Sequence, residues 1–177
     1  ERKDTVLEAV KNNFLIKEII DLSHSEAEEL FLEGTGSMVL DRENKIAYAC
    51  ISPRTDKKIL NEFCSIVGYS PVSFKSTDST GMDIYHTNVM MCIAKTFAVV
   101  CLDSVTNEGE REKLITSLEK TNKEIVDISL QQLNSFAGNM LQVQNDDDEL
   151  LLVMSTRAFE SLTVPQVETL QKHNRII

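Results

Sequence analysis

The sequence is short of positive charge. Eighteen Lys and Arg stand against 28 Asp and Glu, a net charge of −10. A chain of that sign is repelled by phosphate backbones and anionic lipid heads, which argues against nucleic acid or membrane as its main partner. No apolar stretch approaches the length of a bilayer span, and no signal peptide is visible. The four cysteines, Cys50, Cys64, Cys92 and Cys101, have no CxxC spacing. All sit among apolar neighbours, which predicts buried, reduced thiols in a cytoplasmic protein and no disulfide framework. Nothing calls for a metal or another cofactor. The acidic run Asn145-Asp146-Asp147-Asp148-Glu149 reads as a solvated loop tip, because consecutive carboxylates cannot all face one ion.

What is present suits a folded domain. The 177 residues are 42% apolar and 26% charged, enough for one domain with a sizeable core and too apolar for disorder. The chain begins at Glu1 rather than Met, and His173-Asn174-Arg175-Ile176-Ile177 reads as a helix end entering a strand. Both ends give the expectation of a piece of a longer protein.

Periodicity and punctuation predict an α+β protein. Asp4 to Lys11 has helical spacing, with Asn12-Asn13 as a stop. Phe14-Leu15-Ile16 and Ile19-Ile20 read as a strand, and Ser25 and Glu28 stand at capping-box spacing in the connection that follows. Phe31 to Leu40 and Ile46 to Ile51 form an expected hairpin. Thr55 is the expected cap of a helix bearing Ile59, Leu60, Phe63, Ile66 and Val67 and ended by Gly68. Pro71 to Lys75 is a short extended piece. Tyr85 to Ile93 is a near-continuous apolar run, read as a buried strand with His86 at its mouth. Phe97 to Leu102 is a further strand. A helix with an Asn107–Glu110 capping box follows, then a strand over Ile125 to Ile128. A short helix carries a Ser129–Gln132 box. Gly138 to Val143 pairs with Leu150 to Met154, and Thr163 and Gln166 cap the last helix with Pro165 in its first turn. A hairpin, a helix and a further strand thus recur along the chain.

Four polar residues stand at strand ends or in loops, where sites are usually built: Glu33, Arg54, His86 and Asn88. Glu33 lies beside Gly34 and Gly36, which let a backbone approach a ligand closely. Each also has a structural reading. His86 suits a core histidine bonded to a carbonyl, Glu33 a turn residue, and Arg54 a surface residue after Pro53. His24 and His173 are given no role, and Met90 and Met91 read as core filler.

Phe31-Leu32-Glu33-Gly34-Thr35-Gly36-Ser37, Ser52-Pro53-Arg54-Thr55 and His86-Thr87-Asn88, in that order, resemble the guanidine-modifying, or pentein, superfamily. It includes arginine deiminase, agmatine deiminase, dimethylarginine dimethylaminohydrolase and glycine amidinotransferase. The resemblance is closest to bacterial amidinotransferase-like and citrulline hydrolase-like proteins, and it covers nearly the whole chain. It implies a propeller of five ββαβ units around a central site, present here as an incomplete piece over residues 1–177 that is expected to lack the parent chain's N-terminal unit and its C-terminal nucleophile strand. It also implies a cysteine thiolate that attacks the central carbon of a guanidine or ureide, a histidine that moves protons, and a carboxylate that holds amidino nitrogens. On that basis His86 is the expected acid/base and Glu33 the amidino-binding carboxylate. Arg54 is the expected grip on a substrate carboxylate.

The chain departs from the pattern twice. Asn88 stands where many members have the Asp of His-x-Asp, which suits a neutral ureido group such as that of citrulline. The family nucleophile lies near the C-terminus after a glycine-rich turn, and none of the four cysteines is so placed, so the chain as given is expected to be inactive. The leading expectation is therefore a large fragment of a C–N hydrolase or amidinotransferase-like enzyme, acting on an arginine-like or citrulline-like amino acid. A homo-oligomer is a further expectation, since an incomplete sheet array leaves open edges. The alternatives are a binding module resembling the ribosome anti-association factor of the same fold, and a generic α+β domain without a site.

Overall fold

Three times along the chain a strand turns back on itself, passes through a helix and returns parallel to its predecessor. The computed structural model describes residues 4–177, so Glu1 lies outside them. Helix α1 (Asp4–Asn13) and a 3-10 turn (Ser23–Glu28) come first. Unit one is β1 (Val39–Asp41), β2 (Ile46–Cys50), α2 (Lys57–Val67) and β3 (Ser70–Phe74). Unit two opens with the single turn α3 (Thr87–Met90). It continues with β4 (Met91–Ile93), β5 (Phe97–Val100), α4 (Glu108–Lys120) and β6 (Glu124–Asp127). Unit three holds α5 (Leu130–Leu133), β7 (Leu141–Gln144), β8 (Leu150–Val153), α6 (Thr156–Ser161), α7 (Val164–Gln171) and β9 (Arg175–Ile176). In each unit the first two strands are antiparallel and the third runs parallel to the second, giving three small sheets.

Local chemistry explains most of these boundaries. The Asp56 carboxylate accepts the N–H groups of Lys58 and Ile59 at the start of α2, and Gly68 ends that helix at φ +71°. Ser129 with Gln132, and Thr163 with Gln166, form complete capping boxes on α5 and α7. The middle strands β2 and β5 are flanked on both sides. Ala47 to Cys50 and Phe97 to Val100 are accordingly fully buried. One core joins the units, with Tyr48 and Phe74 from the first, Phe97 and Leu114 from the second, and Leu152 and Leu170 from the third. The leading strands are neighbours, β1 against β4 and β4 against β7. At the far end of β1 the Asp41 carboxylate meets the Lys123 ammonium at 3.2 Å, both side chains 2% exposed. Lys123 also donates to the Lys95 carbonyl at 2.8 Å.

Several expectations are corrected. Residues 14–20 form no strand. Phe14 and Leu15 are 69% and 96% exposed, and an apolar pattern with no partner edge has nothing to pair with. The run from Tyr85 to Ile93 is not one strand either, since His86 precedes the helical turn α3 and only Met91–Ile93 joins a ladder. The Thr87 hydroxyl anchors that turn, donating to the Ser37 carbonyl and accepting the Cys50 N–H. Before β1, residues 33–37 wind through turns, with Gly34 at φ +54°, so the strand shrinks to Val39–Asp41. Thr55 is not a cap. Its backbone is held by Ser52, and Asp56 takes the position. Ser25 and Glu28 form no box; the Glu28 carboxylate pairs with Lys58 instead. Only half of the Asn107–Glu110 box exists, since Glu110 accepts the Lys75 N–H at 2.8 Å. Helix α6, capped by Ser155, adds an element that the sequence pattern did not suggest.

Candidate active site

Three hydroxyls tie together the segments that carry the candidate residues. The Ser37 hydroxyl accepts the Glu33 N–H at 2.8 Å and donates to the Arg54 carbonyl at 2.7 Å. The Ser52 hydroxyl accepts the Arg54 N–H and donates to the Tyr85 carbonyl. The Thr87 hydroxyl, as above, reaches the Ser37 carbonyl. The loop before β1, the turn before α2 and the entry to α3 are thus locked to one another, although each is irregular backbone.

Held in this way, Glu33, Arg54 and His86 converge. Glu33 Oε2 lies 2.7 Å from His86 Nε2 and 3.6 Å from Arg54 Nη1. A carboxylate oxygen only accepts, so Nε2 carries the proton that points at it. In the neutral ring Nδ1 is then the nitrogen free to take and return a proton. Tyr85 flanks the pair, with Arg54 Cζ 5.2 Å from its ring centroid and the His86 ring 4.8 Å away, tilted by 55°. Gly36 lies under the imidazole. A Cβ built there would sit 2.8 to 2.9 Å from Cε1, Cδ2 and Nδ1, so any side chain at this position would have to displace the ring. The His86 side chain is 19% exposed and that of Glu33 43%, so the imidazole is walled while the carboxylate faces solvent.

Asn88 stands one helical step further on. Its N–H reaches the Gly36 carbonyl at 3.4 Å, and its carboxamide makes no hydrogen bond among the described residues. It lines a cavity of about 770 Å³ walled by β1, β4 and β7, together with Gly34, Thr35 and Asn139. The sequence reading missed Tyr85, Ser37 and Thr87 as parts of the site. The two hydroxyls lie inside the quoted segments, but nothing local marks a side chain that bonds to backbone 17 or 50 residues away.

The thiols offer no nucleophile. Burial pushes Cys50, Cys92 and Cys101 up to about 11 and raises Cys64 above its ordinary value. Cys92 borders the cavity, yet its thiol is held protonated like the others. His173 is elsewhere, between Thr96 and Glu124 at 2.8 Å each, and His24 faces Glu62. Among the described residues no group of His, Cys, Asp and Glu is arranged to hold a metal ion. None of their helices is long and apolar enough to cross a membrane.

Residues 1–177 match the family described as N,N dimethylarginine dimethylhydrolase, eukaryotic. Comparison with curated proteins gives no match. Among solved structures, the chain resembles apo ArgZ, an arginine dihydrolase from the ornithine-ammonia cycle in cyanobacteria. The TM-score is 0.69 at 15% identity, over 98% of this chain and 24% of that one. The N-terminal domain of ArgZ, bound to substrate, gives 0.67 at 16% identity, over 98% and 56%. Agmatine deiminase of C. jejuni gives 0.50 at 12%, over 98% and 56%. The chain spans little more than half the length of these structures, or less. At such identities the likeness establishes the fold, that of the penteins.

Proposed function

Because the chain belongs to the N,N dimethylarginine dimethylhydrolase family, we propose that it is a large part of a cysteine-dependent enzyme cleaving a C–N bond of an arginine-like or citrulline-like amino acid. The observation that carries this reading is the 2.7 Å contact between Glu33 and His86, with Arg54 beside it. That pair is what the chemistry requires. A thiolate adds to the central carbon of the amidino or ureido group, forming an S–C bond and a tetrahedral centre. The His86 imidazolium gives its Nδ1 proton to the departing nitrogen, and the C–N bond breaks. The neutral Nδ1 then takes a proton from water as its oxygen attacks the same carbon, and collapse releases the thiolate. Glu33 orients the ring and stabilises the imidazolium through Oε2, leaving Oε1 for a substrate nitrogen. Arg54, half exposed, grips the substrate carboxylate. A neutral Asn88 favours a ureide over a guanidinium.

The thiol comes from a segment other than these 177 residues, which form three units of a five-unit propeller. Two observations support that placement: all four thiols here are buried, and the leading strands wall a cavity into which no reactive thiol of these residues projects. The same inert thiols favour one further reading, a binding module of pentein fold without turnover.

Steady-state kinetics of the full-length protein with L-citrulline, L-arginine and N,N-dimethyl-L-arginine, wild type against His86→Ala, test the proposal. Wild type should turn over at least one of them, citrulline more efficiently than arginine, and the variant should lose about 10²–10⁴-fold in kcat with its fold intact. Saturable binding without turnover by wild type would establish the binding module. Full activity of His86→Ala would remove His86 from the chemistry.

A further inference from the structure

Unit three reaches the site through two residues that no motif marks. Gly138 precedes β7 and lies on the backbone of α3. A Cβ there would stand 2.6 Å from the Val89 carbonyl oxygen and 2.7 Å from the Met90 carbonyl carbon, so glycine alone permits this approach. The approach brings the next residue, Asn139, onto Asn88, whose main-chain carbonyl accepts from Asn139 Nδ2 at 2.8 Å. The orientation of that carboxamide follows from chemistry. A main-chain carbonyl only accepts, so the atom facing it must be the NH2 group. Oδ1 is therefore turned away from Asn88, and among the described residues it has no partner. Asn139 is exposed and lines the same cavity as Asn88, Gly34 and Thr35.

A guanidino or ureido group entering this cavity carries several N–H donors, each needing an acceptor once it leaves water. Glu33 Oε2 already serves His86 and Arg54. Glu33, Arg54 and His86 stand outside the cavity lining, next to Gly34, so Glu33 Oε1 meets the group only from its edge. Side-chain acceptors in the lining itself include the Thr35 hydroxyl, the Glu43 carboxylate, the Asn88 carboxamide and Asn139 Oδ1, of which the two amides adjoin each other. We propose that Asn139 is a substrate-binding residue whose Oδ1 accepts an N–H of the bound guanidino or ureido group, while its NH2 fixes the amide against Asn88. This rests on the hydrolase reading above, and it adds a contact from the third unit to those from the first two. Both amides are neutral, so the pair holds nitrogen donors without demanding a positive charge.

The test is kinetics on the full-length protein with L-citrulline and L-arginine, comparing wild type, Asn139→Ala, Asn139→Asp and a surface control, Asn134→Ala. Asn139 is exposed, so its truncation opens no buried void, and circular dichroism with Tm checks each fold. Asn139→Ala should raise KM for the preferred substrate about five- to ten-fold, the loss of one hydrogen bond, with kcat within two-fold. Asn139→Asp should move the arginine-to-citrulline ratio of kcat/KM at least ten-fold towards arginine. Mere support of Asn88 would make the two variants behave alike and leave that ratio unchanged. Wild-type activity with Asn139→Ala unchanged in KM, or with Asn139→Asp unchanged in the ratio, overturns this inference and leaves the hydrolase reading standing. A wild type that neither binds nor turns over either amino acid overturns both.

Discussion

Gly36 and the His86 imidazole occupy adjoining space with no tolerance between them. Alanine at 36 would put a methyl 2.8 to 2.9 Å from the ring. The neighbour is a side chain, which can tilt, so the strain is relieved by moving the base rather than by unfolding the loop. Gly36→Ala in the full-length protein should therefore lower kcat on the order of 10²-fold, the effect expected of an ångström-scale misplacement, with Tm changed by a few degrees at most. An unchanged kcat would show that the imidazole position is not critical. Glu33, Arg54 and His86, which the structure brings together, could be picked out as candidates in the sequence because each is a polar residue beside a turn, in an order that matches one superfamily. Asn139 could not. Its signal is an amide on a backbone carbonyl 51 residues away, and no spacing along the chain encodes that.

Caps were legible where a Ser, Thr or Asn side chain acts on N–H groups three residues ahead without competition, and failed at Thr55 and Ser25–Glu28, where Asp56 and Lys58 supplied other partners. The capping boxes on α5 and α7 formed as read. The Glu110 half of the α4 box did not, since the end of β3 offered its carboxylate another donor. Apolar runs were harder, because their state depends on partners. Residues 14–20 found no strand to join. The run from Tyr85 to Ile93 was divided by a threonine hydroxyl that bonds to two other segments. Gly138 shows the same dependence on distant chain. Its neighbour is backbone, which cannot rotate away as a ring can, so Gly138→Ala should separate β7 from α3. The expected loss is roughly 1–3 kcal/mol, the usual cost of overpacking, read by urea unfolding. A smaller loss than that of Gly36→Ala would contradict the close packing of the two units.

The recurrence of hairpin, helix and further strand was visible in the sequence, while the parallel pairing of that strand was not. Nor was the assembly of the units, because the shared core that joins them, and the polar contacts set into it, pair residues far apart in sequence. The buried Asp41–Lys123 pair is one such contact, joining the far end of β1 to the segment that enters β6. Lys123→Met leaves the Asp41 carboxylate buried with Asn44 as its one side-chain hydrogen-bond partner among the described residues. It should destabilise the protein by roughly 3–5 kcal/mol, as removal of one partner from a buried pair does. Denaturant titration at neutral pH measures it, and a loss under 1 kcal/mol would mean that the pair is hydrated. The way the site is divided among units has a temporal consequence. Glu33 and His86 are 53 residues apart in sequence and belong to different units, and Asn139 belongs to a third. Hairpins close within microseconds on their own, whereas contacts of long sequence separation wait for loop closure. During refolding, secondary structure should return early and the contacts around His86 last, so that protection of the His86 ring serves as a clock for the docking of one unit on the next.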